Sequence, residues 1–147
     1  MSKLLYLDNA ATTKTAPEVV EAMLPYFTEK FGNPSSLYDT GLEAKAAVTH
    51  AREQVAALIH ADPKEVFFTA GGTESDNWAL FGACDKLKEK GNHIITTKIE
   101  HHAILHSCAF LEKHGFDVTY VGIDKDGRVN LKELEDAITD KTILISV

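Results

Sequence analysis

Two cysteines in 147 residues are too few for a disulfide framework, and Cys84 and Cys108 stand 24 positions apart, outside any metal or redox spacing. Both fall in segments that read as helix, where a free cysteine packs as a small apolar side chain. Four prolines, nine glycines and no biased stretch exclude collagen-like and low-complexity chains. No run approaches the roughly 20 apolar residues of a membrane span, and the start, Met1-Ser2-Lys3-Leu4-Leu5-Tyr6-Leu7-Asp8, lacks the apolar core of a signal peptide. A cytoplasmic protein with no membrane partner is expected, and in a reducing cytoplasm a disulfide is not. Positive charge is also scarce: 15 Lys and Arg against 22 Asp and Glu give a net charge of −7, with no basic patch for nucleic acid. Small molecules or proteins are the expected partners.

What the sequence does have is the composition of a globular chain, 44% hydrophobic and 25% charged, at a length that buries roughly two-thirds of the unfolded surface. From residue 65 onward apolar runs alternate with amphipathic stretches, the rhythm of parallel strands joined by crossover helices. Strands are expected over 65–69, 93–97, 116–121 and 142–147. Helices are expected over 17–29, 42–59, 74–90, 102–114 and 131–138, the second with Val48, Ala51, Val55, Leu58 and Ile59 on one face. Gly91 and Gly115 sit where a left-handed cap residue closes a helix, and Asn130 with Glu133 resembles a capping box. The fold class is α/β, a mainly parallel sheet with helices on both faces. An N-terminal helical segment, 1–60, would precede the α/β part, 61–147. The last strand is apolar, and parallel sheets normally continue into further units, so the chain reads as part of a longer domain. The other reading is an edge strand, which would need cover against aggregation.

Two places can carry chemistry. Thr69-Ala70-Gly71-Gly72-Thr73-Glu74-Ser75-Asp76-Asn77 lies between an apolar run and a helix. The first turn of a helix has unpaired N–H groups and partial positive charge, and glycine lets an anion approach the backbone. Gly72 and Thr73 would grip a phosphate; a plain turn with a hydroxyl cap is the other reading. The spacing fits neither the dinucleotide nor the nucleoside-triphosphate loop. The second place, Lys98-Ile99-Glu100-His101-His102, follows the next strand and so should emerge at the same carboxyl edge, where open α/β sheets bind ligands. An imidazole there can stack on a flat cofactor or move protons; a surface or capping histidine is the alternative. His102 and His106 are four apart, but no zinc-protease pattern or third ligand accompanies them, and no metal is expected. Asp124-Lys125-Asp126-Gly127 fails as a calcium loop, with Arg128 and Val129 at positions five and six, and reads as a turn.

Taken in order, Tyr6-Leu7-Asp8-Asn9-Ala10-Ala11-Thr12-Thr13, Phe31-Gly32-Asn33-Pro34-Ser35-Ser36, Phe68-Thr69-Ala70-Gly71-Gly72-Thr73-Glu74-Ser75-Asp76-Asn77 and Glu100-His101-His102-Ala103-Ile104 resemble the cysteine desulfurases among the class V, fold-type I enzymes dependent on pyridoxal 5'-phosphate (PLP). The resemblance covers essentially the whole chain. It implies a PLP-transferase-like large domain, truncated after the fourth predicted strand. Gly72 and Thr73 would hold the cofactor phosphate, and His101 would stack on the pyridine ring and assist proton transfer. Residues 8–13 and 33–36 would lie near the substrate entrance. The implied reaction converts L-cysteine to L-alanine and passes persulfide sulfur to an acceptor protein, for iron–sulfur cluster or thio-cofactor assembly, in a homodimer.

Tyr38 stands where such enzymes often have histidine. By the resemblance, the Schiff-base lysine, the aspartate paired with the pyridinium nitrogen, the nucleophilic cysteine and the carboxylate-binding arginine belong to later segments, so this chain alone is expected to be inactive. Lys98 does not match the lysine's position. Two other readings stay open: a non-catalytic domain that binds a partner, and a fragment of another class V enzyme, an aminotransferase or selenocysteine lyase.

Overall fold

The computed structural model describes residues 5–147; residues 1–4 of the start considered above lie outside the described part. The chain divides into two compact units, Met1–Phe67 and Phe68–Val147. Among the described residues, no helix is long and apolar enough to cross a membrane.

The first unit holds helices α1 (Pro17–Thr28) and α2 (Asp39–Leu58). Proline at the first position of α1 has no N–H to leave unpaired, so the helix starts there. α2 begins three residues earlier than its apolar pattern suggests, with Asp39 in its first turn, where a carboxylate offsets the positive helix end. Its buried positions are the small residues Gly41, Ala44 and Ala56, whereas Leu58 and Ile59 of the expected apolar stripe are exposed. After α2, a capping box on Asp62 and Glu65 closes a short 3-10 turn over Pro63–Glu65. Val66 follows in extended conformation, and its carbonyl accepts a hydrogen bond from Arg52 Nη1.

Here the structure corrects an expectation: residues 65–69 form no strand. Residue 65 belongs to the 3-10 turn, Val66 after it is extended, and residues 66–69 lie in no strand. A strand is a pairing rather than a local conformation, so an apolar extended run cannot supply one alone.

The second unit is a three-stranded parallel sheet, β1 (His93–Thr97), β2 (Asp117–Val121) and β3 (Thr142–Ile145), in the order β2-β1-β3. Helices α3 (Gly72–Leu87), α4 (His102–Glu112) and α5 (Leu131–Ala137) flank it. As the central strand, β1 is buried along its whole length. One face of the sheet and the two longer helices share a core of Leu80 and Cys84 from α3, Ile94 from β1, and Ile104, Cys108 and Leu111 from α4. Each fully buried leucine or isoleucine contributes about 1.5–3 kcal/mol. On the alternate residues of β1, His93 links all three strands: Nδ1 lies 2.8 Å from the Thr142 hydroxyl and Nε2 2.9 Å from that of Thr119. One nitrogen of a neutral imidazole donates and the other accepts, so both contacts are satisfied together.

The turn chemistry is partly as expected. Gly115 has a φ of 93°, the left-handed cap after α4. Gly91 does not adopt a positive φ; glycine is needed there because a Cβ would sit 2.3 Å from the Lys141 carbonyl oxygen. Asn130 caps α5 by accepting the Glu133 N–H at 3.2 Å, but Glu133 accepts the Gly122 N–H at 3.0 Å instead of closing the box. Residues 124–128 form a turn, with Asp124 Oδ1 accepting two backbone N–H groups and Gly127 at a φ of 79°.

Candidate active site

The strand order fixes where a ligand can bind. The chain leaves β1 through α4 to β2 on one side, then returns through α5 to β3 on the other. At such a reversal the connections diverge and open a crevice at the carboxyl ends of the strands. The loop leaving β1 carries His101 into that region.

α3 begins abruptly at Gly72 because Gly71 is fully extended, with φ 165° and ψ 176°. No side chain caps this helix, so its first N–H groups are not consumed internally. A Cβ on either Gly71 or Gly72 would meet no heavy atom within 4 Å, which leaves the backbone open to a phosphate. The carboxylate of Glu74, the charge that would repel an anion there, is tied to the Ala70 N–H at 2.6 Å. Thr69 and Ser75 hydroxyls lie 2.7 Å apart and brace the turn. Thr73 is exposed. The donor set therefore fits a phosphate ester.

At the other end of the crevice, the buried Thr97 hydroxyl donates to Glu100 Oε1 at 2.9 Å and fixes the loop after β1. His101 is the N-cap of α4: its Nδ1 accepts the Ala103 N–H at 3.1 Å. An accepting nitrogen carries no proton, so the ring's proton resides on Nε2. The imidazole is exposed while one edge is locked to the helix, a fit for a face that stacks on a flat ring.

These two ends meet in one cleft of about 480 Å³ between the starts of α3 and α4, lined by Thr73 and His101 together with Asn77, His106, Ser107 and Phe110. That volume lies within the roughly 300–1,000 Å³ of small-molecule sites. Gly72 begins the helix beside Thr73 without lining the cleft. Lys98 does not line it and is exposed in the loop after β1. His102 and His106 stack with ring centroids 5.1 Å apart; among the described residues no group of three or more His, Cys, Asp or Glu could hold a metal ion. Residues 8–13 and 33–36 belong to the first unit.

Spacing alone pointed to Thr73 and His101 but not to Asn77 and Ser107. Asn77 Nδ2 donates to the Thr73 carbonyl at 2.8 Å, and Ser107 Oγ donates to Asn77 Oδ1 in a short contact. The one available signal was a hydroxyl, Ser107, on the otherwise apolar buried face of α4.

Cys84 and Cys108 are both buried and free. Burial, helped by the nearby Cys84, Glu112 and Glu100, pushes the Cys108 thiol up to about 11, and burial raises Cys84 as well.

The chain matches the family described as Aminotransferase class-V over residues 5–147. A cysteine desulfurase IscS of Clostridium botulinum (strain Kyoto / Type A2) is 58% identical over 147 residues, covering 100% of this chain and 37% of that protein. The cysteine desulfurase IscS of Methanosarcina thermophila is 56% identical over 146 residues, 99% of this chain and 36% of its own length. Among solved structures, a NifS-like protein superimposes with a TM-score of 0.89 at 41% identity, covering 94% of this chain and 38% of that one. The structure described as SspA in complex with cysteine gives 0.87 at 41% identity, with coverages of 95% and 40%. The chain thus spans well under half the length of these relatives.

Proposed function

Because the chain belongs to the class-V aminotransferase family, we propose that it is the phosphate-gripping N-terminal part of a PLP-dependent cysteine desulfurase. The observation that carries this reading is the single cleft in which Thr73 at the start of α3 and His101 at the start of α4 both stand. The open N–H groups and hydroxyl of Gly72 and Thr73 would hold the cofactor phosphate, and the His101 ring would lie against the pyridine and exchange a proton through Nε2. PLP, when bound, supplies an electron sink for the charge left on the substrate carbon. The residues of this chain would bind and orient that ring, with Phe110 as an apolar part of the cleft lining.

On this reading the substrate is L-cysteine, the products are L-alanine and a persulfide passed to an acceptor protein, and the use is iron–sulfur cluster or thio-cofactor assembly. The names of the relatives and the cysteine-bound neighbour support that choice. The complete enzyme would be a cytoplasmic homodimer, with residues 1–60 and 61–147 forming a helical segment and the first part of its α/β domain. The cofactor-bonding lysine and the nucleophilic cysteine would come from later segments: Lys98 stands outside the cleft, and Cys84 and Cys108 are buried with raised thiol pKa values. The 147 residues alone would therefore be inactive.

The test is made on the protein produced from its own gene, after its intact mass is measured. It should carry PLP, seen by visible absorbance, and form L-alanine from L-cysteine. Thr73→Ala should weaken PLP binding by about ten- to a hundredfold, the effect of one lost hydrogen bond to a charged group. A preparation that binds no PLP refutes the reading.

A further inference from the structure

A stiff cofactor imposes a demand on the two helices. Its phosphate and ring are a fixed distance apart, so the start of α3 and the start of α4 must be held in register with each other. Functional groups need placement within about 0.5 Å. The contacts that join the two helices are mainly apolar, Leu80 and Cys84 against Ile104 and Cys108, and apolar contact is not directional. It resists separation better than sliding. A hydrogen bond between the helices, close to their N-termini, would resist sliding because its geometry is narrow.

Such a bond is present, and it is continuous with both ends of the site. Asn77, half-buried on α3, donates through Nδ2 to the carbonyl of Thr73 at 2.8 Å. Its Oδ1 accepts from the hydroxyl of Ser107 on α4, which is 6% exposed. The same hydroxyl also lies 2.7 Å from the carbonyl of Ala103, so its single proton is shared between the two oxygens. Ala103, in turn, donates its N–H to His101 Nδ1 at 3.1 Å. The bridge crosses 30 positions of sequence and sits one turn inside each helix start. Ser107 is the one polar residue among the buried positions of α4, Ala103, Ile104, Ser107, Cys108 and Leu111.

We propose that Asn77 and Ser107 are positioning residues that hold the ring-stacking imidazole of His101 in register with the phosphate grip at Thr73. This rests on the reading of the cleft as a PLP site. Neither residue reacts; the pair acts through His101 and Thr73.

The experiment uses the protein made from its own gene and loaded with PLP, with Ser107→Ala, Asn77→Ala, the double variant and the conservative Ser107→Thr. Three quantities are read: the dissociation constant for PLP, the circular dichroism of the bound cofactor in its visible band, and the unfolding midpoint of the cofactor-free protein. Ser107→Ala should weaken PLP binding by about three- to tenfold, the range of one hydrogen bond, and should lower the visible dichroism per bound cofactor as the ring loses its fixed orientation. Ser107→Thr should restore both. The double variant should be no worse than the poorer single one, because the two side chains form one contact.

If Ser107→Ala lowers the unfolding midpoint while leaving dichroism per bound cofactor unchanged, the bridge is structural only and the proposal is overturned. Wild-type affinity and dichroism in Ser107→Ala, with Thr73→Ala still weakened, overturn the proposal and leave the PLP site standing. Failure of the wild-type protein to bind PLP removes the site reading itself.

Discussion

His101 caps α4 and lines the candidate cleft, and two substitutions separate the capping from the proposed stacking. As N-cap of α4 it accepts the Ala103 N–H, one of the donors a helix start leaves unpaired. As an exposed ring lining the cleft it would, on the proposed reading, offer a face to the cofactor. Asparagine is among the best N-caps but has no ring, whereas alanine has neither property. His101→Ala should lose about 1 kcal/mol of stability, the usual effect of a removed cap. For a chain of this length that corresponds to a fall of about 4 °C in unfolding midpoint. α4 carries Ile104, Cys108 and Leu111 of the core, so a frayed first turn is felt by the packed unit. His101→Asn should keep the midpoint of the wild type. Both variants should bind PLP about two- to tenfold more weakly, since an aromatic stack is worth about 0.5–1.5 kcal/mol. Thermal unfolding followed by far-UV circular dichroism gives the first quantity and PLP titration the second. Equal destabilisation by alanine and asparagine would refute the capping argument, and unchanged PLP affinity in both would refute the stacking argument.

Three further outcomes follow from the packing. Gly91→Ala places a Cβ 2.3 Å from the Lys141 oxygen, beside the β1–β3 bond from His93 N to that same oxygen. It should destabilise by about 1–3 kcal/mol, and an unchanged urea midpoint would show that the approach relaxes freely. Thr96 is fully buried, and its hydroxyl has no partner among the described residues. Thr96→Val should therefore raise the urea midpoint, by about 1 kcal/mol in stability; a lower midpoint would reveal a partner for the hydroxyl. Cys108, with a thiol near 11, keeps its proton in the folded chain at pH values where an unfolded thiol, near about 8.5, has lost it. Its contribution to stability is present below the unfolded value and is lost as pH rises through that window to about 11. Native protein at pH 8 should react with a thiol reagent about 100-fold more slowly than unfolded protein, and comparable rates would place the thiol at the surface.

The sequence alone determined the elements whose reasons are local. Apolar spacing marks α3 and α4, a continuous apolar run marks β1, and Gly115 ends α4 because only glycine readily takes its φ. The choice of Thr73 and His101 as candidate site residues followed from their places after an apolar run and after a strand, and the structure sets both in one cleft. What depended on distant partners was decided by the tertiary structure. Residues 65–69 look like a strand but form none among the described residues. Gly91 looks like a cap, yet answers to the backbone of Lys141, 50 positions away. His101 proves to be the cap of its own helix, and Asn77 meets Ser107 only because α3 and α4 pack side by side. Periodicity records which side of a helix is buried, because burial repeats with the helix turn; it holds no record of which two helices will share a hydrogen bond, because that distance exists only after the core has closed.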